Sequence, residues 1–222
     1  MAAAAKFTRD EAILALDVYY SLADGRVLPD SDEIRDLSLL LNRLPVYPVE
    51  NRRDDFRNAN GIAKQLMLFR SNCKSGKKNR HLGSIFFEVA FEYENRIDEL
   101  HSIAEAIRRN EKAFNLCFGS PLEDEGFPEG VFLGHLHRII EKRDGLKYEM
   151  KDHCQVCFSS PGLCYKTDEN LLQNHLIINP VKTDFSKKYK ADDFITVCPT
   201  CHRALHSYRP WLTAENCGEV LR

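Results

Sequence analysis

The chain has 222 residues, of which 43% are hydrophobic and 29% are charged. This composition excludes a disordered tail or a mini-protein, because the chain is long enough to bury a core as one large domain or two small ones. The formal net charge of −2 argues against a uniformly basic nucleic-acid binder, although a near-neutral total can conceal a segregated basic patch.

No apolar run approaches the roughly 18 residues that a membrane span needs. The segment 1–6 is too short and too rich in alanine for a signal peptide. We therefore expect a cytoplasmic chain. Eight cysteines are far fewer than a secreted disulfide scaffold carries, and four of them form two Cys-x-x-Cys pairs. Bound metal explains these pairs better than disulfides do.

The N-terminal third shows three helical patterns separated by breakers. Thr8-Arg-Asp-Glu11 is a capping box, and apolar residues at helical spacing extend the first predicted helix to about residue 23. A second cap pattern at 30–33 precedes a helix that two prolines terminate. A third helix is predicted over 60–70. Three short helices indicate a compact helical module, for which a helix-turn-helix arrangement is one option.

Positive charge is concentrated around the third predicted helix. Between Arg52 and Arg80 there are nine Lys or Arg and two Asp, which leaves a net charge of +7. Amide side chains on a helix can read base edges, and a Lys-rich loop suits phosphate contacts. A solvated charged face is the competing interpretation. The candidate DNA-binding residues are Arg57, Asn58, Asn60, Lys64, Gln65, Lys74, Lys77, Lys78 and Arg80.

The middle of the chain predicts the end of one domain and the start of another. An apolar stripe over 84–110 alternates with acidic residues and predicts one long amphipathic helix. Gly, Pro and acidic residues over 119–128 then mark a linker, and a helical pattern resumes at about 131–148. We place the domain boundary near residue 120, with a helical DNA-recognition domain over 1–119 and a second domain over 120–222.

Two cysteine knuckles dominate the C-terminal third. Cys154-Gln-Val-Cys157 and Cys198-Pro-Thr-Cys201 can together supply the four thiolates of a tetrahedral structural Zn²⁺ site. The 40 residues between the pairs are more than a simple zinc ribbon allows, so further structure must be built there. Cys164 also lies in this insert and is a spare thiol or, less favourably, a spare ligand.

Three histidines accompany the knuckles. His202 and His206 follow the second knuckle at i, i+4 spacing, which places both imidazoles on one face of a helix and is typical of a shared ion. His175 lies in the apolar run Leu171-Leu-Gln-Asn-His175-Leu-Ile-Ile-Asn-Pro180 and can face the same ion. A lone histidine is usually structural, but three histidines framed by two knuckles favour function.

The knuckles and these histidines resemble the HNH endonucleases of the ββα-metal fold, in particular the zinc-knuckled type similar to bacterial modified-cytosine restriction nucleases. Leu136-His137-Arg138 with Glu141 resembles the lead-in segment of that family, and Pro210-Trp211-Leu212 resembles its tail. The first helix and Phe56-Arg-Asn-Ala-Asn-Gly61 resemble a domain that precedes such modules. The resemblance implies an α+β chain, with an N-terminal helical domain followed by a zinc-stabilised ββα-metal (HNH) nuclease domain.

The resemblance also implies a role for each site residue. His175 matches the general base, and His202 and His206 match the ligands of a catalytic Mg²⁺ or another divalent ion. Asp193 matches the residue that orients the base, with Asp192 as the alternative if the register slips. Asn174 stands where the family has a His or Asp ligand, and a neutral amide oxygen is the weaker donor.

The sequence therefore predicts a metal-dependent DNA endonuclease that serves restriction or defence. Its expected partner is double-stranded DNA, and a homodimer fits a palindromic target. The basic segment Ser186-Lys-Lys-Tyr-Lys190 either contacts phosphates or is a solvated loop. The alternative function, motivated by Asn174, is a zinc-stabilised DNA-binding protein with an inactive HNH site. A purely structural zinc protein with a protein partner is the third and least favoured interpretation.

Overall fold

The computed structural model describes residues 5–22, 26–74, 85–117, 130–160, 170–208, 211–212 and 216, with the side chains of 72–74 and 117 left out. The chain divides into two compact units, Met1–Phe132 and Leu133–Arg222. Within the described ranges the fold is α+β, with seven α-helices and one two-stranded sheet. The domain boundary and the linker that we predict around residues 119–128 lie outside the described residues.

Five helices build the N-terminal unit, and the three that the sequence predicts first are all present. They are α1 (Arg9–Ser21), α2 (Asp32–Arg43), α3 (Ala59–Lys74), α4 (Ile85–Glu92) and α5 (Ile97–Cys117). The capping box at the start of α1 is confirmed, since the Thr8 amide donates to Glu11 Oε2 at 2.8 Å and the Glu11 amide donates to Thr8 Oγ1 at 3.4 Å. These bonds satisfy amides that the first helical turn leaves without partners.

The single long helix predicted over 84–110 is wrong. Residues 93–95 form a turn that separates α4 from α5, and the Arg96 guanidinium donates to the Glu92 carbonyl at 3.0 Å, where α4 ends. Both helices pack against α1. A straight helix over residues 84–110 would be about 40 Å long, whereas α1 spans about 20 Å. The turn therefore lets both halves bury their apolar stripes on one short partner.

The start of helix α6 (Val131–Gly145) is held by a buried carboxylate of α1. Asp10 accepts hydrogen bonds from the Val131 and Phe132 amides at 3.0 and 3.2 Å. Gly130 has a φ of +91°, and a Cβ there would lie 2.3 Å from Asp10 Oδ1, so only glycine fits. Burial raises the pKa of Asp10 to about 7, and the two amides oppose that rise.

The C-terminal unit contains a strand, strand, helix sequence. Strands β1 (Gln173–Leu176) and β2 (Phe194–Val197) pair antiparallel, with His175 opposite Ile195, and helix α7 (Pro199–Ser207) follows β2 directly. Their core is formed by apolar residues of the strands, the knuckles and α7, including Leu172, Val197 and Leu205. Across the described part of the chain, no helix is long and apolar enough to cross a membrane.

Candidate metal centres and nucleic-acid interface

The two knuckles meet and form what we call the four-cysteine site (Cys154, Cys157, Cys198 and Cys201). All four Sγ atoms lie within 4.8 Å of one another, and Cys157 Sγ is 3.8 Å from Cys198 Sγ. A tetrahedral zinc ion with sulfur ligands at about 2.3 Å requires sulfur pairs about 3.8 Å apart. The cysteines are free thiols rather than disulfides. The four-cysteine site therefore fits a tetrahedral metal ion.

Backbone amides donate hydrogen bonds to sulfur atoms of both knuckles, and this favours metal binding. The Cys157 amide donates to Cys154 Sγ and the Cys201 amide donates to Cys198 Sγ, both at 3.5 Å. Burial works against ionisation of Cys157, but contacts from Ser159 outweigh it and lower the pKa of the Cys157 thiol to about 6. A thiolate is the form that binds a metal ion.

A second cluster, which we call the histidine–carboxylate centre, consists of Glu141, His175, His202 and His206. One ligand atom from each residue lies within 4.8 Å of the other three. The three histidines come from the elements that the sequence predicts, since His175 is on β1 while His202 and His206 lie one turn apart on α7. The structure thus brings all three together with a carboxylate.

Glu141 is the residue that sequence reasoning missed as a ligand. It lies on α6 and is 5% exposed. Its Oε1 atom is 2.8 Å from His175 Nδ1 and accepts a hydrogen bond from the Leu176 amide at 3.0 Å. Its Oε2 atom is 3.3 Å from His202 Nε2 and 3.1 Å from His206 Nε2. Each carboxylate oxygen therefore faces at least one imidazole.

The spacing of these atoms matches a shared ion. Ligand atoms about 2.1 Å from a metal lie about 3.0 Å apart in octahedral and about 3.4 Å apart in tetrahedral geometry. The four short contacts of the centre, including 3.0 Å between His202 Nε2 and His206 Nε2, fall between 2.8 and 3.3 Å. His175 Nδ1 makes no hydrogen bond despite its 2.8 Å approach to Glu141. These separations fit four ligand atoms arranged around one ion.

A hydrogen bond outside the centre fixes how His202 presents its ring. His202 Nδ1 donates to Gln173 Oε1, and in a neutral imidazole this leaves a lone pair on Nε2, the atom that faces Glu141. Polar partners of this kind hold metal-binding histidines in the required tautomer. Gln173 lies two residues before His175 on β1. This short strand therefore carries both His175, a residue of the centre, and the hydrogen-bond partner of His202.

Electrostatics keep Glu141 and His175 in the forms that can bind a metal ion. Burial would raise the pKa of Glu141, but the imidazoles around it hold that pKa well below its usual value. Burial lowers the pKa of His175, and the neighbouring Glu141 carboxylate offsets this only in part. An ionised carboxylate and a neutral imidazole are the forms that coordinate a cation.

His137 and Trp211 enclose the centre. His137 is fully buried, its Nε2 is 3.0 Å from the Leu176 carbonyl, and burial lowers its pKa to about 3. Its Nε2 therefore carries the proton and donates to that carbonyl, while its Nδ1 has no hydrogen-bond partner and lies 3.9 Å from Glu141 Oε1. Trp211 stacks on His175 with ring centroids 5.7 Å apart and donates to the Ile177 carbonyl at 3.2 Å.

Asn174 does not serve as a ligand, which corrects the prediction made from its position beside His175. Its amide nitrogen donates to the Gly145 and Tyr148 carbonyls at 2.8 and 3.1 Å, and its oxygen accepts from Thr196 Oγ1 at 3.1 Å. Successive residues of a strand point to opposite faces, so His175 and Asn174 cannot face one ion together.

Asp193 does not orient His175 either. Its carboxylate accepts a hydrogen bond from the Lys190 amide at 2.7 Å and closes the short helical turn 191–193. The carboxylate beside His175 is that of Glu141. Asp192 is exposed in the same turn. The Asp193 backbone carbonyl, by contrast, accepts from the Ile177 amide at 3.0 Å and extends the contact between the two strands.

Two of the candidate DNA-binding residues have structural roles. Arg57 is 7% exposed, pairs with Glu11 at 2.5 Å and lies over the Phe7 ring at 3.8 Å. Asn58 Oδ1 accepts from the Gly61 amide at 2.7 Å and caps α3. A charge count could not distinguish the buried ion pair of Arg57 from a surface cation.

The other candidate DNA-binding residues and the lysines of segment 186–190 are placed as follows. Asn60 and Lys64 are exposed on α3, and Gln65 is half-buried. Lys74 ends α3, but its side chain is outside the described part of the structure, as are Lys77, Lys78 and Arg80. In the C-terminal unit, Lys187, Lys188 and Lys190 are exposed in the segment between β1 and β2.

Comparisons with known proteins found no matching family model, no matching curated protein and no matching solved structure.

Proposed function

We propose that this chain is a metal-dependent DNA endonuclease of the HNH type, which hydrolyses phosphodiester bonds and serves restriction or defence. One observation carries the proposal. Three imidazoles and one carboxylate converge on a strand, strand, helix unit, with separations that fit a single divalent ion. The resemblance of the knuckles and histidines to HNH nucleases assigns that arrangement to nucleic-acid cleavage.

In this proposal Glu141, His202 and His206 hold the ion, which is Mg²⁺ or another divalent metal. When bound, such an ion stabilises negative charge on the scissile phosphate and on the leaving oxygen. Three protein ligands leave positions open for substrate, as catalytic metal sites require. The main reason to infer an inactive site was that the neutral amide of Asn174 would be a weak ligand. In this proposal the anionic Glu141 carboxylate is the ligand instead, so that reason no longer applies.

His175 has the properties of the general base. Its lowered pKa keeps the imidazole neutral near pH 7, so Nδ1 can accept a proton from an attacking water. Stacking against Trp211 limits rotation of the ring. Proton transfer to a positioned side chain contributes about 10²- to 10⁴-fold to the rate of such reactions.

The four-cysteine site binds Zn²⁺ in this proposal and stabilises the C-terminal unit. Zinc is supported by the all-thiolate ligand set and by the 3.8 Å sulfur separation. DNA contacts come from the exposed Asn60 and Lys64 on α3, together with the exposed lysines between β1 and β2. A double-strand cut needs one centre for each strand, which supports a homodimer on a palindromic site.

Cleavage of a supercoiled plasmid with added Mg²⁺, Mn²⁺, Co²⁺ or Ni²⁺ tests the proposal, and modified and unmodified DNA are compared in parallel. The wild type is expected to nick or linearise the plasmid. His206→Ala is expected to lose both bound metal and cleavage. His175→Ala is expected to retain the metal and to cut about 10²- to 10⁴-fold more slowly. Absence of cleavage by the wild type under all metals would reject the nuclease.

The alternative function is a zinc-stabilised DNA-binding protein in which the histidine–carboxylate centre is a second structural metal site. The observation that favours it is the burial of His175, which is 1% exposed. With His175 as a fourth ligand, a tetrahedral ion would have no open position. The same experiment separates the two functions, because a binding protein would shift DNA without cutting it and would lose metal in the His175→Ala variant.

A further inference from the structure

Helix α6 binds both backbone polar groups of one residue at the end of β1. His137 Nε2 donates to the Leu176 carbonyl at 3.0 Å, and the Leu176 amide donates to Glu141 Oε1 at 3.0 Å. His137 and Glu141 lie one turn apart on α6 and therefore share one face of the helix. We call these two hydrogen bonds the Leu176 clamp. They occupy an edge of the two-stranded sheet that would otherwise have unpaired polar groups.

The Leu176 clamp gives a reason for a histidine at position 137. His137 and Leu176 are both fully buried. An apolar side chain could fill the same space without the cost of removing a polar ring from water. It would, however, leave the buried Leu176 carbonyl without a donor, which is unfavourable. The imidazole of His137 therefore acts as a hydrogen-bond donor and is more than a packing element.

The ring of His137 also contacts the surroundings of His175. It meets the rings of His175 and Trp211 edge to face, with centroids 5.8 and 4.9 Å away. Trp211 stacks on His175 and donates to the Ile177 carbonyl, so it holds the residues on both sides of Leu176. His175 is covalently joined to Leu176. A displacement of Leu176 would therefore move His175 as well.

His137 does not have the position of a metal ligand. Its Nδ1 atom lies 3.9 Å from Glu141 Oε1, whereas the short contacts within the histidine–carboxylate centre are between 2.8 and 3.3 Å. The four residues whose ligand atoms all lie within 4.8 Å of one another do not include it. Its influence on the centre runs through Leu176. That influence can be large, because a misplacement of about 1 Å can cost about 100-fold in rate.

We propose that His137 is a positioning residue, which holds the end of β1 through the Leu176 carbonyl and so places the general base His175 at the histidine–carboxylate centre. The proposal rests on the proposed function, because that function gives His175 its role. His137 contacts neither the ion nor the substrate. Loss of its donor therefore lowers kcat and leaves KM and metal affinity unchanged.

Glutamine and asparagine at position 137 separate the donor from the ring. The amide nitrogen of glutamine is as many bonds from Cα as imidazole Nε2 is, so His137→Gln can still donate to the Leu176 carbonyl. The amide of asparagine ends one atom earlier. At saturating Mn²⁺, His137→Asn should cut plasmid about 100-fold more slowly with an unchanged KM, and His137→Gln should keep the wild-type rate. His153→Asn is the matched control, because His153 is a part-exposed histidine of the same unit.

Trp211 provides a readout that does not require cleavage. It is the single tryptophan of the sequence, and its ring contacts both His137 and His175. In His137→Asn the end of β1 is released and water reaches the indole, so the emission maximum should shift to longer wavelength. In His137→Gln the emission should match that of the wild type. Thermal denaturation of each variant, measured in parallel, reports whether it is folded.

Three outcomes would overturn the proposal. A wild-type kcat in His137→Asn, even with a lower thermal midpoint, would leave His137 with a packing role alone. A folded His137→Gln that cuts as slowly as His137→Asn would show that the donor is not what matters. A loss of about tenfold or more in the Mn²⁺ affinity of His137→Gln, measured by calorimetry, would make His137 part of the ion site. A wild type that does not cut DNA would instead reject the nuclease, and Trp211 emission would still test whether His137 holds β1.

Discussion

Glu141→Gln changes the charge of the histidine–carboxylate centre and leaves its shape almost unchanged. Glu141 is ionised, because its pKa is held well below its usual value, so glutamine removes one negative charge from the centre. The Leu176 amide, 3.0 Å from Glu141 Oε1, needs an acceptor at that position. A glutamine that keeps its oxygen there places its NH₂ group where Oε2 faces His202 and His206. That group has no lone pair for a cation.

The expected loss of metal affinity is large. Changes to groups that only orient metal ligands cost about 10- to 100-fold in affinity. A direct carboxylate ligand should cost at least about 100-fold, which corresponds to about 2.8 kcal/mol at about 1.4 kcal/mol for each factor of ten. Isothermal titration calorimetry with Mn²⁺ measures this loss, on protein whose four-cysteine site has first been loaded with zinc.

Asn174→Ala is the matched control, because Asn174 is the neighbouring position at which the sequence places a ligand. The alanine variant loses three hydrogen bonds and should be less stable by about 1–3 kcal/mol. Its affinity for Mn²⁺ should equal that of the wild type. If Glu141→Gln binds Mn²⁺ normally, or if Asn174→Ala does not bind it, our assignment of ligands is refuted.

Four further predictions concern stability and DNA binding. Cys198→Ser should lose the ion of the four-cysteine site, and the C-terminal unit should unfold as a result. Metal analysis and thermal denaturation measure these two effects, and an unchanged thermal midpoint would contradict the prediction. The pKa of Asp10 is raised from 3.8 to about 7 in the folded chain, so the folded state retains a proton that the unfolded chain releases between about pH 4 and pH 7. Stability from this group is therefore fully present below about pH 4 and declines as the pH rises to about 7, and urea denaturation of Asp10→Asn should lack that decline. Arg57→Ala should destabilise the chain by about 3–5 kcal/mol, because Glu11 would remain buried without its partner. Lys64→Ala should instead leave stability unchanged and reduce the salt dependence of DNA binding by about one charge.

Local sequence patterns predicted the parts of the fold that depend on local interactions. The capping box of α1, the two knuckles and the i, i+4 histidines of α7 each involve residues within about one helical turn. Their geometry follows from backbone regularity alone. The turn at residues 93–95 has no proline or glycine to announce it. Asp98 and Glu99 at the start of α5 are the first-turn acidic residues that could have indicated a new helix.

Glu141 could not be assigned by spacing, because only tertiary packing brings α6 to β1 and α7. A signal was nevertheless present in the helical phase of α6. Leu133, Leu136 and Ile140 define its buried face, and His137 and Glu141 share that face at i, i+4 spacing. Two ionisable residues on an apolar face need partners, and this need is a reason to assign them a shared site.

Helix α7 spans nine residues and carries residues of both candidate metal sites. Cys198 caps its first turn and Cys201 lies within that turn, while His202 and His206 occupy the positions that follow. An ion at the cysteines fixes the start of the helix. The second ion then has to offset less of the conformational entropy that is lost when the helix becomes ordered. Thermodynamic reciprocity then requires each ion to strengthen binding of the other by the same factor. A single inserted residue between Cys201 and His202 would rotate the histidines by about 100° and uncouple the two sites.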